Sequence, residues 1–241
     1  MAFVHGRNAV VLYGAYNLSP YLNSAALNAT GETGDTTCFG QSWRTAIAGL
    51  LTVSASFGGF HDVDIVGAHE NTLGTDGGVL TYCPGNGSAV GDAARMLSVV
   101  ETAYNTTDPV ADVVAYTWDV LGETSLGIGQ RLHPPGTDTN TTTGAEKDDG
   151  AATATGWMAH LHVAVVDGGS WVIKLQDAAV SNTYTDVTGG AFTAATGVTS
   201  QRLTSAAATT ALRRYVRYVA TRTGGTAGDG IRFTLAYARN I

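Results

Sequence analysis

Lysine is nearly absent from this sequence: Lys147 and Lys174 stand against eleven arginines, which indicates a coding bias toward arginine. Charged residues make up only 14% of the 241 positions, whereas globular proteins average about 25%. Coiled coils and helical bundles need many charged helix formers. Disordered chains have few apolar residues, but 44% of this chain is hydrophobic. With 31 glycines in addition, the composition argues against those classes and predicts an all-β, turn-rich fold with at most one or two short helices.

Cysteine and long apolar runs are also scarce. Cys38 and Cys83 have the spacing of neither a zinc ligand pair nor a redox motif, so we expect two buried thiols and no disulfide. No stretch approaches the roughly 18 apolar residues of a membrane span. The first ten residues lack the apolar run and the cleavage site of a signal peptide. We therefore expect no membrane contact and a protein made and kept in a cytoplasm, unless it leaves inside a larger particle.

The charge is unevenly distributed along the chain. Residues 1–120 hold three arginines against eleven acidic residues, and residues 201–241 hold seven arginines against one. An acidic body with a basic end favours contact between copies or with an anionic partner. Chance clustering on a solvated surface is the alternative. Arg213, Arg214 and Arg217 are the candidate interface residues, and their joint neutralisation is predicted to weaken assembly.

Strand patterns dominate the local sequence. Residues 49–60 alternate apolar and polar with the period of a half-buried strand, and residues 110–121 are β-branched and aromatic. Two pairs of apolar runs flank glycine-rich linkers, which predicts two hairpins: 160–166 with 171–175, and 214–221 with 231–238. Two further segments carry helix signals.

The first of these segments fits a helix over residues 92–104 or a strand over residues 96–104 about equally well. The second, residues 19–23, could form one helical turn, with Ser19 as the cap and Pro20 in the first position.

The segment 134–156 is rich in Thr, Gly and Asp and has no periodicity, so we expect a long polar loop there. The chain is predicted to be a single domain over residues 1–241 that contains this loop. The alternative is two small β-sandwiches, 1–133 and 157–241, joined by it.

The densest cluster of metal-capable side chains lies at residues 61–70. His61, Asp62, Asp64 and His69 could supply imidazole and carboxylate ligands to a divalent metal. Glycine-rich loops also collect His and Asp for turn formation and solvation, so these four are weak metal candidates. His160 and His162 share one face of a strand, but no third ligand is identifiable, and two partly buried strand histidines are the favoured interpretation.

No catalytic motif is recognisable. Ser88 and Ser170 lack the Gly-x-Ser-x-Gly pattern of a nucleophile elbow, and neither a dinucleotide fingerprint nor a phosphate-binding loop is present. We expect no enzyme activity and no cofactor. The aromatic residues Trp43, Trp118, Trp157 and Trp171, with several tyrosines, could serve as stacking platforms for a carbohydrate, although core packing is the commoner use.

Several phrases in fixed order resemble the tail tube (major tail) proteins of long-tailed bacteriophages, especially those of high-GC actinobacterial hosts. The resemblance covers most of the chain outside 134–156. It is carried by residues 1–6 (MAFVHG), 17–23 (NLSPYLN), 35–40 (DTTCFG), 47–50 (IAGL), 58–60 (GGF), 170–177 (SWVIKLQD), 214–217 (RYVR) and 238–239 (AR).

This resemblance implies a tail-tube-type β-sandwich or barrel whose subunits join into a ring, usually a homohexamer. The rings stack into a hollow tube in the virion, after synthesis in the cytoplasm of the host bacterium. The implied partners are other copies of the chain, the tape-measure protein and the tail-end proteins. DNA would pass without specific binding, and an acidic lumen wall suits such passage because like charge suppresses phosphate binding.

Three other functions fit parts of the pattern. A phage capsid decoration protein is also small, β-rich and symmetric, and would bind empty heads. A carbohydrate-binding β-sandwich module would bind a glycan as a monomer. A metal-dependent hydrolase would use His61, Asp62, Asp64 and His69.

Overall fold

The computed structural model describes residues 6, 8–40, 42–61, 77–85 and 89–239. In this part of the chain the only helical element is a 3₁₀ turn at Ser19–Tyr21, and no helix is long and apolar enough to cross a membrane. The all-β prediction and the predicted turn at residue 19 are confirmed.

All the strand pairings given for these residues are antiparallel. The strands are β1 (Val10–Tyr13), β2 (Tyr16–Asn17), β3 (Leu22–Asp35), β4 (Ala46–Phe60), β5 (Gly78–Cys83), β6 (Ala93–Thr107), β7 (Ala115–Gly122), β8 (Gly127–Asp138), β9 (Thr142–Thr143), β10 (Lys147–Asp148), β11 (Trp157–Val166), β12 (Ser170–Ala178), β13 (Thr185–Ala191), β14 (Thr199–Thr204), β15 (Tyr215–Thr223) and β16 (Ile231–Arg239).

The strands group into two compact units, each assembled from separate stretches of sequence. The first unit comprises residues 1–20, 78–98 and 126–241, and the second comprises residues 21–77 and 99–125. The alternative of a single domain or two sandwiches joined at 134–156 stays a prediction.

The first unit is a β-sandwich. One layer contains β14, β11, β16 and β8 in that order, and the other contains β10, β15, β12 and β13, with β9 beside β15. Side chains alternate along β12, where Trp171, Ile173 and Leu175 are fully buried and the residues between them are half-buried. These side chains meet those of β11 and β16, including Leu161 and Leu235, in the main core. Burial of this apolar area is the main force that stabilises the sandwich.

Both predicted hairpins are wrong, because the strands of each pair lie in opposite sheets. Strand β11 pairs with β14 and β16, while β12 pairs with β13 and β15. The chain crosses from one sheet to the other at Gly168 and Gly169, whose φ values of 124° and 71° favour glycine. The second crossing, between β15 and β16, lies beside the first, and the Asp167 N–H donates to the Gly230 carbonyl at 2.8 Å.

Residues 92–104 fitted helix and strand equally, and residues 93–104 form part of strand β6. The predicted long loop is wrong in part. Within 134–156, predicted as a loop, strand β8 continues to Asp138, and the short strands β9 and β10 pair with β15. The polar Thr and Asp side chains give no strand pattern for β9 and β10, because these strands pair through backbone groups along the edge of β15 and bury no apolar face.

The second unit is a small antiparallel sheet in the order β3, β4, β7 and residues 99–107 of β6. Its core is formed by the inner part of β4 and by β7. The Phe57 and Trp118 rings stack with their centroids 4.8 Å apart, and Val53, Ala55 and Val120 are also buried. The alternation predicted for residues 49–60 therefore produces burial only from residue 53 onward.

Candidate assembly surface

The hairpin of β3 and β4 extends far beyond the core of the second unit. Its register runs from the Leu22–Gly59 pair to the Asp35–Ala46 pair, which corresponds to roughly 45 Å of strand. We call residues 28–40 and 42–52 of this hairpin the arm. Every residue of the arm is exposed. A two-stranded ribbon with both faces in solvent is marginally stable in water, so the arm is the part of the fold that gains most from an additional contact.

The arm carries large apolar side chains in solvent. Ile47, Leu50 and Leu51 are 62%, 76% and 82% exposed. Leu51 lies two residues before the buried Val53, on the same face of β4, so the apolar face of the core continues onto the arm. Opposite Leu51, a Cβ at Gly31 would lie 3.2 Å from the leucine Cδ2. The glycine therefore leaves room for the leucine to lie across the ribbon.

The outer edge of β3 is available for backbone pairing. Among the described residues, β4 is the only strand that pairs with β3, which is 14 residues long. Natural edge strands are usually short or blocked by lysine, proline or a bulge that twists the edge away. Strand β3 contains neither lysine nor proline, and its charged residues are Glu32 and Asp35. Its register against β4 shifts between Leu22 and Ser24 and between Gly31 and Thr33, so residues 24–31 form the regular part of the edge. Such an edge is a template for a strand of another chain.

Two aromatic side chains project from the tip of the arm. Phe39 is fully exposed and Trp43 is 85% exposed. The ion pair between Asp35 and Arg44, at 3.0 Å, closes the base of the tip. Cys38 lies here and is exposed, whereas Cys83 is buried, so the expectation of two buried thiols is wrong for Cys38. The signal that could have identified this tip is the presence of two large aromatic residues in a segment of turn formers without strand alternation.

The predicted metal cluster falls mostly outside the described residues. Asp62, Asp64 and His69 lie there, while His61 follows β4 and its backbone N–H donates to the Val114 carbonyl at 2.9 Å. Within the described part of the chain, no group of three His, Cys, Asp or Glu side chains is placed to hold a metal ion. The metal interpretation stays untested.

The pair His160 and His162 forms a buried polar cluster with Thr81. The Thr81 Oγ1 lies 3.1 Å from His160 Nδ1 and 2.8 Å from His162 Nε2, and His162 Nδ1 lies 2.6 Å from the Gly14 carbonyl oxygen. Both imidazoles are almost inaccessible to solvent. Their contacts are those of buried strand histidines in the first unit.

Burial makes these histidines an acid-sensitive element. It lowers the pKa of His160 well below its usual value, and lowers the pKa of His162 to about 4. In the unfolded chain both would titrate near pH 6.5. Between these values the unfolded state binds more protons, so stability falls as the pH falls from about 6.5 to 4. For His162 alone the loss is about 3 kcal/mol.

Urea unfolding at a series of pH values measures this effect. We expect the free energy of unfolding to fall steeply across that window in the wild type. The double variant His160→Gln, His162→Gln should be less stable at pH 7 and should show a much smaller slope. An unchanged slope in this variant would assign the acid sensitivity to other groups.

The three candidate interface arginines make contacts within the chain. Arg213 donates from Nε to Asp177 Oδ1 at 2.9 Å and also contacts the Asp177 carbonyl oxygen at 2.9 Å. Arg214 binds both carboxylate oxygens of Asp148, at 2.7 and 2.6 Å, and lowers the pKa of Asp148 to about 2.

Arg217 donates to Gln176 and lies 3.7 Å above the Tyr184 ring. The role of Arg213, Arg214 and Arg217 at an interface stays a prediction.

These contacts separate stability from assembly at this cluster. Arg213→Gln leaves the buried Asp177 carboxylate without its main partner, and should lower the free energy of unfolding by about 2 kcal/mol. Arg214→Gln removes an exposed pair and should have little effect on stability. If the cluster meets an acidic neighbour, Arg214→Gln should still weaken assembly in sedimentation velocity. Normal assembly of both Arg214→Gln and the triple Gln variant would exclude the interface role.

The aromatic residues considered as carbohydrate platforms are mostly in the core. Trp118, Trp157 and Trp171 are inaccessible to solvent, and Tyr237 is almost so. Of the four tryptophans only Trp43, at the tip of the arm, presents an exposed ring. The exposed aromatic surface of the arm is therefore a single tip rather than a flat binding face.

No protein-family model matches this chain, and no curated protein matches it. Several solved structures are similar to it, including the following three. A chain of the virion of a native gene transfer agent particle is 13% identical, with a TM-score of 0.42, over 52% of this chain and 97% of that one. A chain of the tail of an empty gene transfer agent particle, obtained by helical refinement with C6 symmetry, is 14% identical, with a TM-score of 0.39, over 45% and 81%. The Dit protein of phage SPP1, described as a hub adsorption apparatus, is 12% identical, with a TM-score of 0.36, over 96% and 98%.

Proposed function

We propose that this chain is a structural subunit of a phage-type tail, and that it assembles with itself into stacked rings that form the tail tube. The observation that carries the proposal is the arm: a ribbon of exposed residues with apolar side chains and an open β3 edge. The order of sequence phrases that resembles tail tube proteins supports the assignment to a tail. The subunit would then reside in the virion, as a homohexameric ring.

The arm favours assembly because no described part of the same chain covers its apolar side chains. A contact between the arm and a different surface on the next copy is heterologous, and repeated heterologous contacts close into rings or extend into filaments. Covering the arm in this way would bury Ile47, Leu50 and Leu51 and satisfy the edge of β3.

The charge of the second unit suits a conduit for DNA. Residues 21–77 and 99–125 hold one cationic side chain, Arg44, against eleven acidic ones, a formal charge of −10. A lumen wall of that sign would let DNA pass without binding, because specific and non-specific DNA contacts both depend on cations at the phosphates. The tape-measure protein and the tail-end proteins would be the other partners of the tube.

Sedimentation velocity over a concentration series tests this proposal. The wild type is expected to shift from a monomer to large ring or tube species as concentration rises. In separate binding assays, the protein should not bind empty phage heads, and its monomer should not bind glycans. Head binding without self-association would favour a capsid decoration protein, and glycan binding by a stable monomer would favour a carbohydrate-binding module.

A further inference from the structure

A mainly apolar groove with a volume of about 580 Å³ lies at the surface of the first unit. It lies between the turn from β1 to β2, the end of β8 at Pro135, residues His162 and Ala164 of β11, strand β16 and the segment that leads into β14. Its lining includes Leu12, Tyr16, Pro20, Pro135, Val198 and Phe233. Sites that enclose small organic ligands measure roughly 300–1,000 Å³, so the groove has room for one or two aromatic side chains.

The mouth of the groove is built from exposed residues. Tyr16 and Val198 are 45% and 58% exposed, and both belong to the groove. Arg232 also lines it and is exposed. Among the described residues Arg232 has no ion-pair partner. The mouth therefore offers apolar surface with a cation beside it, which is the environment that attracts an aromatic ring.

The tip of the arm has the complementary character. Phe39 and Trp43 are the two most exposed aromatic side chains of the described residues. Glu32 and Asp35 stand near the tip against a single cation, Arg44. Tryptophan in particular is enriched among the residues that dominate protein interfaces.

The charges of the two units also favour contact between different copies. The second unit, which carries the arm, has a formal charge of −10, whereas the first unit holds twelve cationic side chains against nine acidic ones, or +3. Opposite net charge steers the second unit of one copy toward the first unit of another. This complementarity selects another copy of the chain as the occupant of the groove.

We propose that the groove of one copy receives Trp43 and Phe39 from the arm tip of the next copy. This inference rests on the proposed self-assembly and names the contact that mediates it. The contact is heterologous, so each copy donates one tip and accepts another. Arg232 would lie beside the inserted ring, with the acidic end of the arm close to it.

Disulfide trapping tests the contact directly, because Cys38 is adjacent to Phe39 and exposed. The wild type is mixed with a tagged Cys38→Ser, Val198→Cys variant and oxidised gently. We expect a mixed covalent dimer that joins Cys38 of one copy to position 198 of the other. The matched control is Cys38→Ser, Val180→Cys, because Val180 is similarly exposed, at 65%, and is not part of the groove lining. The buried Cys83 is common to all of these chains.

Substitution at both partners gives a second readout. Trp43→Ala should weaken self-association at least about 10-fold, which is the usual effect of removing a dominant aromatic contact. Arg232→Gln should weaken it less, with a reduced dependence on salt. Both residues are exposed, so circular dichroism and thermal unfolding should match those of the wild type.

The outcomes separate this contact from the proposed function. If the wild type forms rings, but trapping at position 198 does not exceed the control and Trp43→Ala assembles normally, the groove contact is wrong and the tail function stands. If the wild type remains a monomer at every concentration and no mixed dimer forms, both proposals fail. Trapping at 198 together with weakened Trp43→Ala assembly supports both.

Discussion

A chain in which residues 31–51 are replaced by Asn-Gly is expected to fold and to remain monomeric at concentrations where the wild type assembles. The deletion removes the outer arm, including Ile47, Leu50 and Leu51 and both tip aromatics. Because each removed residue that the structure describes is exposed, the variant loses little of the buried area that holds the fold together. Its loss of assembly should be complete in sedimentation velocity.

The geometry of the hairpin allows this deletion without a register shift. Thr30 and Thr52 are directly opposite each other, and a two-residue Asn-Gly turn joins such a pair in the twist that antiparallel strands prefer. The inner hairpin keeps its pairing and the Phe57–Trp118 stack. Far-ultraviolet circular dichroism and the unfolding midpoint should therefore stay close to those of the wild type.

Two point-substitution sets separate apolar contact from the length of the arm. Ile47→Thr, Leu50→Thr, Leu51→Thr keeps the ribbon and should also impair assembly. Val110→Thr, Val113→Thr changes exposed apolar residues of the same unit outside the arm, at 108% and 58% exposure, and should assemble normally. Assembly of the deletion variant at the same concentration as the wild type would show that the arm does not mediate self-assembly.

Arg239→Ala is expected to lower the free energy of unfolding by about 3–5 kcal/mol, the usual cost of removing one partner of a buried ion pair. The Arg239 Nε lies 2.6 Å from Asp149 Oδ2, and the two side chains are 11% and 9% exposed. The guanidinium also donates to the carbonyl oxygens of Leu212 and Arg214 at 2.7 and 3.2 Å. One side chain thus fastens two segments to the final strand.

Removal of the Arg239 side chain should cost much free energy of unfolding, because its partners are buried with it. The Asp149 carboxylate accepts from the Tyr237 hydroxyl at 2.7 Å, and Gln130 donates to that hydroxyl at 2.7 Å. In Arg239→Ala the carboxylate keeps the hydrogen bonds donated by the Tyr237 hydroxyl and the Gln130 amide but loses its countercharge. Arg239→Lys should recover part of the loss, since it restores the charge without the forked geometry.

Urea denaturation of the purified variants measures this prediction. Arg44→Ala, which removes the exposed pair with Asp35, is the control and should leave the midpoint almost unchanged. A change below about 1 kcal/mol in Arg239→Ala would show that the cluster at the end of β16 does not hold the segment around Asp149 in place.

Local pattern predicted the strands better than their partners. The alternation around Val53, Ala55 and Phe57 identified β4, because each side chain reports its own burial. The glycine-rich linkers at 167–170 and 224–230 predict hairpin turns, but each connects strands of opposite sheets. The sequence pattern of a glycine-rich turn between two amphipathic strands is the same whether the strands pair edge to edge or face each other across a core. Only tertiary packing decides between these arrangements.

The candidate surface was harder to predict for a related reason. The charge contrast between −10 and +3 is hidden in the sequence, since each unit is assembled from separate stretches. The arginines at 213, 214 and 217 form a cluster in the sequence, whereas in the fold each has a partner on a distant segment: Asp177, Asp148 and Gln176. Phe39 and Trp43 look like ordinary core residues until the strands on either side are seen to leave the core.

Electron microscopy of the purified chain across a concentration series tests the central claim of self-assembly most directly. In the wild type we expect rings whose averaged images show six-fold symmetry, and at higher concentration hollow tubes of stacked rings. The chain that lacks residues 31–51 should form neither. Uniform single particles of about 25 kDa at every concentration, with and without the arm, would contradict the account.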